Sequence, residues 1–145
     1  VLLRDFYVGQ GKVDLKEDEF VREFVTEKLP ENVVTEFAKL GRRKALAISR
    51  LNVSAALGTD EEGKINFARI APGCIFSTPD RVESAENLLI GREPSEELWQ
   101  EAGKEVAEEM IRRTGVRWST EYKQPAVEAL VEDALAGCNE PGTEE

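Results

Sequence analysis

The residues best suited to chemistry lie together between positions 39 and 57, in the run KLGRRKALAISRLNVSAAL. Lys39, Arg42, Arg43 and Lys44 concentrate positive charge at the start of an apolar segment rich in Ala, Val, Ile and Leu. The whole chain carries 19 Lys and Arg against 29 Asp and Glu, a net charge of −10, so this local excess is out of character. At the end of a strand, such cations can converge on a phosphate, a carboxylate or an electron-rich ring. The plainer alternative is a solvated loop between two strands, and composition leaves both open.

Other chemistries are excluded by residue type. The chain has no histidine, which removes Ser-His-Asp and Cys-His nucleophilic sites, HExxH metal sites and imidazole base chemistry. Carboxylates are plentiful, but most stand at helical spacing from Lys or Arg and read as solvated faces. Gly9-Gln10-Gly11-Lys12 lacks both the spacing and the following helix of a phosphate loop. Ser77 and Thr78 read as capping groups at a helix entry, and Trp99 and Trp118 as core-edge or interface anchors. Cys74 and Cys138 are too far apart for a CxxC motif and read as inert buried thiols in a reducing, cytoplasmic setting. On its residues alone, the chain does not look like a complete enzyme.

At 145 residues and 41% hydrophobic content, the chain has room for one domain with a real core, or one domain plus a piece of another. The acidic balance argues against nucleic acid and against an anionic membrane surface as partners. No apolar run approaches the roughly 20 residues that span a bilayer. Val1-Leu2-Leu3 runs at once into Arg4-Asp5, unlike a secretory leader.

The elements that must position the cluster follow from periodicity. Residues 1–30 read as extended segments and turns, broken at Gly9-Gln10-Gly11. Residues 20–25 alternate Phe20, Arg22, Phe24 against Val21, Glu23, Val25, which favours a strand over the competing helix. Residues 33–39 and 46–57 read as strands, and 58–63 as a polar turn. Residues 64–76 form the return strand, bent at Pro72-Gly73. From Ser77 the period becomes helical. A short helix opens at Thr78-Pro79-Asp80, runs to Leu89 and stops at Gly91. A second is capped by Ser95 and ended by Gly115. A third covers 122–138, with Pro125 in its first turn. Strands first and helices last predict an α+β fold: an antiparallel sheet of three or four strands packed against a three-helix bundle.

Several segments together carry a resemblance. DFYVGQGK at 5–12 and DEFVREF at 18–24 are similar to the closing segment of the FAD-binding domain in molybdenum hydroxylases. KLGRRKALAISRLNVSAAL, KINFARIAPGCIFSTPDR and EYKQPAVEALVEDAL resemble the C-terminal domain of their FAD-binding (medium) subunit, the xanthine dehydrogenase and carbon monoxide dehydrogenase flavoprotein family. The resemblance implies the same α+β fold. It divides the chain into a remnant of the FAD-binding domain at 1–30, a C-terminal domain at 31–138 and a disordered tail at 139–145.

The resemblance also implies a function. The intact subunit would bind FAD and pass electrons from iron–sulfur clusters to an external acceptor, docked to an iron–sulfur subunit and a molybdopterin subunit. Lys39 matches a family lysine near the flavin ring, and Val21 an apolar residue that packs near it; Arg42 and Arg43 are weaker matches. The family's glycine-rich pyrophosphate-binding segments have no counterpart here, so this portion alone is expected to bind no flavin and to turn nothing over. The alternative is a stand-alone α+β protein–protein interaction module without flavin.

Overall fold

The architecture comes from a computed structural model, described for residues 1–43 and 47–139. The chain opens with a helical turn, α1 (Leu3–Phe6), and a small antiparallel hairpin of β1 (Tyr7–Gly9) and β2 (Lys12–Val13). Residues 14–32 contain no helix or strand. Three long strands then form one antiparallel sheet in the order β3–β4–β5: β3 (Val33–Gly41), β4 (Ser49–Thr59) and β5 (Ile65–Gly73). The helices α2 (Glu83–Leu89), α3 (Glu96–Thr114) and α4 (Thr120–Asn139) follow. α4 lies against β3 and β4, α2 against β5, and α3 packs on both α2 and α4. Of the expected sheet of three or four strands against three helices, the three-stranded form is the one observed.

Side-chain alternation explains why the helices cover only one face. Leu51, Val53, Ala55 and Leu57 of β4 and Ala68 and Ile70 of β5 point inward and are buried. They meet Val106 and Met110 of α3 and Val127, Val131 and Leu135 of α4 in one continuous core. The period of two in the strands and of 3.6 in the helices places these residues on facing surfaces.

The free edge of β5 is closed by the segments around α2. Ile65 exchanges hydrogen bonds with Gly91 and Arg92 (2.7 and 2.9 Å). The Ile70 carbonyl accepts from Val82 N (3.0 Å), and its N–H donates to the buried carboxylate of Glu86 (2.9 Å). An exposed edge strand invites mispairing, so these bonds blunt it. They also explain why the helix expected from Pro79 begins at Glu83: residues up to Val82 serve the sheet edge.

Several local signals are met. Ser95 Oγ accepts from Leu98 N (3.2 Å) at the start of α3, and Gly115 ends that helix with φ +70. Asp60 Oδ1 accepts from Glu62 N and Lys64 N (3.0 and 2.9 Å), which closes the β4–β5 turn.

Four expectations are corrected. Residues 20–25 form neither strand nor helix; their alternation describes a strand, but a strand needs a hydrogen-bonded neighbour and none runs beside them. Pro125 lies inside α4 rather than in its first turn, because the helix begins at Thr120. β5 ends at Gly73, and the bend falls on Cys74, at φ +63. Cys74 is exposed, so only Cys138 fits the buried reading. The strand start expected at Leu46 and residues 140–145 of the expected disordered tail lie outside the described residues.

Candidate functional site

The face of the sheet turned away from the helices is lined in rows by the register. Val33, Gly58 and Phe67 stand side by side, then Thr35, Ala56 and Arg69, then Phe37, Ser54 and Ala71, and last Lys39, Asn52 and Gly73. The central strand supplies only Asn, Ser, Ala and Gly here, so larger residues along β3 and, at Phe67 and Arg69, along β5 leave a trough. An open cleft of about 510 Å³ occupies it, lined by Thr35, Phe37, Ser54, Ala56, Arg69 and Ala71 among others. Arg69 lies over the Phe67 ring (4.7 Å) and 3.8 Å from the Glu86 carboxylate, so it is held along one wall.

Lys39 closes one end of this face. It is exposed, and among the described residues its ammonium makes no ion pair. Its neighbour Asn52 lies over Gly73 so closely that a Cβ there would sit 2.3 Å from the amide oxygen. Only glycine fits. Cys74 follows in a left-handed conformation that few side chains adopt. Lys123 of α4 donates to the Cys74 carbonyl (2.9 Å), fastening this corner to the helices. The arrangement presents an amide and one cation to whatever meets the end of the sheet.

Val21 is placed elsewhere. It is 44% exposed and lines an open cleft of about 440 Å³ with Leu3, Phe6, Leu15, Phe20 and Phe24. Lys39 does not line that cleft, so the chain by itself does not bring the two residues to one surface.

Arg42 and Arg43 are gathered into a third place. They line an open cleft of about 930 Å³ between the β3–β4 turn and the start of α4, together with Arg50, Trp118, Tyr122 and Lys123. Lys44 lies outside the described residues. Trp99 is buried in the core, whereas Trp118 is 96% exposed. Arg50, Tyr122 and Lys123 were not signalled by the sequence, because nothing local joins residues 50 and 123; only the packing of α4 against β4 does.

The buried charge of the fold is structural. Glu86 Oε1 accepts from Ile70 N and Arg81 Nε (2.9 and 2.8 Å), and Oε2 pairs with the Arg81 guanidinium at 2.5 Å. That hydrogen bond holds Arg81 above its usual range. Burial first, and then Glu36, pushes the Cys138 thiol up to about 11, so it stays protonated and inert at neutral pH.

The nicotinate dehydrogenase FAD-subunit of Eubacterium barkeri is 27% identical to this chain, over 95% of the chain and 50% of that protein. The fold matches carbon monoxide dehydrogenase from Hydrogenophaga pseudoflava with a TM-score of 0.80 at 20% identity, covering 97% of this chain and 48% of that one. It matches quinoline 2-oxidoreductase from Pseudomonas putida 86 with a TM-score of 0.76 at 20% identity, covering 94% and 47%. The chain thus spans about half the length of the relatives it matches. Residues 36–137 match the CO dehydrogenase flavoprotein C-terminal domain, from the middle of β3 almost to the end of α4, and the chain belongs to that family.

Proposed function

We propose that this chain is the C-terminal portion of the FAD-binding subunit of a molybdenum hydroxylase. In this reading it closes one side of the flavin and helps to dock an iron–sulfur and a molybdopterin subunit while electrons pass from iron–sulfur clusters to FAD. The family match and the FAD-subunit relative support the flavin. The observation that carries the reading is Lys39: an exposed ammonium with no carboxylate partner among the described residues, in an acidic chain, beside an amide that lies over Gly73.

The residues fit one side of such a cofactor and not its pyrophosphate. Lys39 and Asn52 offer a cation and an amide to a ring edge, while Gly9-Gln10-Gly11 is only the turn of the β1–β2 hairpin, with no helix behind it. FAD supplies the electron relay when bound. Lys39 would favour negative charge gathering on the ring, and Asn52 would fix its approach. Residues 1–30 are assigned to the flavin-binding part, with Val21 near the ring. Phe20, Phe24 and Val25 are 82%, 75% and 88% exposed here, as a strand would be without the sheet it belongs to. The unlinked thiols accord with a cytoplasmic setting.

The test is a comparison of the intact subunit with residues 1–145 alone. Stoichiometric flavin in the intact subunit and none in the isolated chain is expected. Stoichiometric flavin in the isolated chain would overturn the assignment of its pyrophosphate site to other sequence. An intact subunit that takes up no flavin would favour the flavin-free interaction module.

A further inference from the structure

A second gathering of positive charge and exposed aromatic surface lies away from the Lys39 row. We propose that the cleft between the β3–β4 turn and the start of α4 docks an acidic, apolar-anchored polypeptide segment of a partner subunit in the same complex. The proposal rests on the reading of the chain as part of a flavin subunit assembled with other subunits.

Charge is the first argument. The cleft is lined by Arg42, Arg43, Arg50 and Lys123, and no Asp or Glu is among its described lining residues. In a chain of net charge −10, that is a wall of one sign against a background of the other. Arg69, Arg81, Arg92, Arg112 and Arg113 each have a carboxylate within 4 Å. Among the described residues Arg42 and Arg50 have none. Lys123 is tied to the Cys74 carbonyl, so its position is set before anything binds. Arg42 and Arg50 are therefore kept away from the described carboxylates of an acidic chain, and an anionic partner gains both steering and register from them.

The apolar surface is the second. Trp118 is 96% exposed, Ile48 91% and Tyr122 50%, and all three line the same cleft. Trp, Tyr and Arg are the residues whose burial dominates binding at protein interfaces. A small-molecule site would instead enclose its ligand and aim buried polar groups at it. This cleft has exposed walls and a volume of about 930 Å³, which suits a segment of chain laid across it.

The experiment uses the intact flavin subunit and separately purified iron–sulfur and molybdopterin subunits, with association measured at low and high salt. Arg42→Glu/Arg50→Glu and Trp118→Ala should each weaken association with one partner by about tenfold or more. Wild-type binding should weaken with salt, and Arg42→Lys/Arg50→Lys should keep most of the affinity. All three sites are on the surface, so thermal melts of the variants should match wild type. Wild-type affinity in both the charge-reversed and the Trp118 variant overturns the docking surface while leaving the flavin-subunit reading intact. Loss of flavin with unchanged association also overturns it, by giving the cleft to the cofactor. A wild-type subunit that binds neither partner overturns the assembly reading itself.

Discussion

At the scale of single residues, burial decides which charges matter. Glu86 is 3% exposed and holds both the Ile70 N–H and the Arg81 guanidinium. Removing it orphans a backbone donor on the sheet edge as well as a cation. Glu86→Ala should cost about 2–3 kcal/mol in urea unfolding. The Arg92–Glu101 pair is exposed on both sides, and Glu101→Ala should leave the urea midpoint where it is. Equal midpoints for the two variants would contradict this ranking. Glu109 gives a pH signature: hydrogen bonds from Arg113 and then Arg112 hold it below its ordinary value of 4.5. A lowered folded pKa stabilises above the unfolded value, and that stability is lost as pH falls through the folded one. Acid titration below pH 4.5 should therefore be shallower in Glu109→Gln than in wild type. Thiol chemistry follows the same logic. At pH 8, Cys74 should be modified in the native chain while Cys138, pushed up to about 11, is protected until unfolding.

At the scale of elements, close approach separates two helical glycines. A Cβ at Gly103 in α3 would meet the backbone of Glu128 in α4 at 2.9 Å, and backbone cannot move aside. At Gly137 the same Cβ would meet only the Cγ of Glu36, at 2.8 Å, a side chain that can swing away. Gly103→Ala should therefore destabilise by about 1–2 kcal/mol after its helix-propensity gain, whereas Gly137→Ala should be neutral or stabilising. Chemical denaturation of the pair checks it, and equal effects would mean that the α3–α4 contact is not tight. The three long strands and two long helices were legible because each carries its own periodicity and its own stop signals, as at Ser95 and Gly115. Residues 20–25 were misread for a physical reason. Alternation reports which faces a strand would bury, but pairing depends on a neighbour that the local sequence does not contain. The charge cluster misled similarly: Lys39 and Arg42 are close in sequence, yet the end of β3 sends one to the outer sheet face and the other to the cleft at α4.

At the scale of the whole molecule, the chain spans about half the length of its relatives, and its residues 14–32 contain no helix or strand. Residues 14–32 should exchange amide hydrogens rapidly in the isolated chain and become protected in the intact subunit. Equal exchange in both would remove residues 1–30 from the flavin-binding part. In the proposed function, the end of the outer sheet face looks onto a flavin through Lys39. The most direct measurement is the flavin midpoint potential, with the reoxidation rate, of the intact subunit carrying Lys39→Ala or Lys39→Arg. Loss of the cation should lower the potential by about 30 mV or more, the equivalent of ~1.4 kcal/mol for two electrons, and change the reoxidation rate, while Lys39→Arg stays near wild type. Wild-type potential, flavin content and reoxidation rate in Lys39→Ala would remove Lys39 from the surroundings of the flavin.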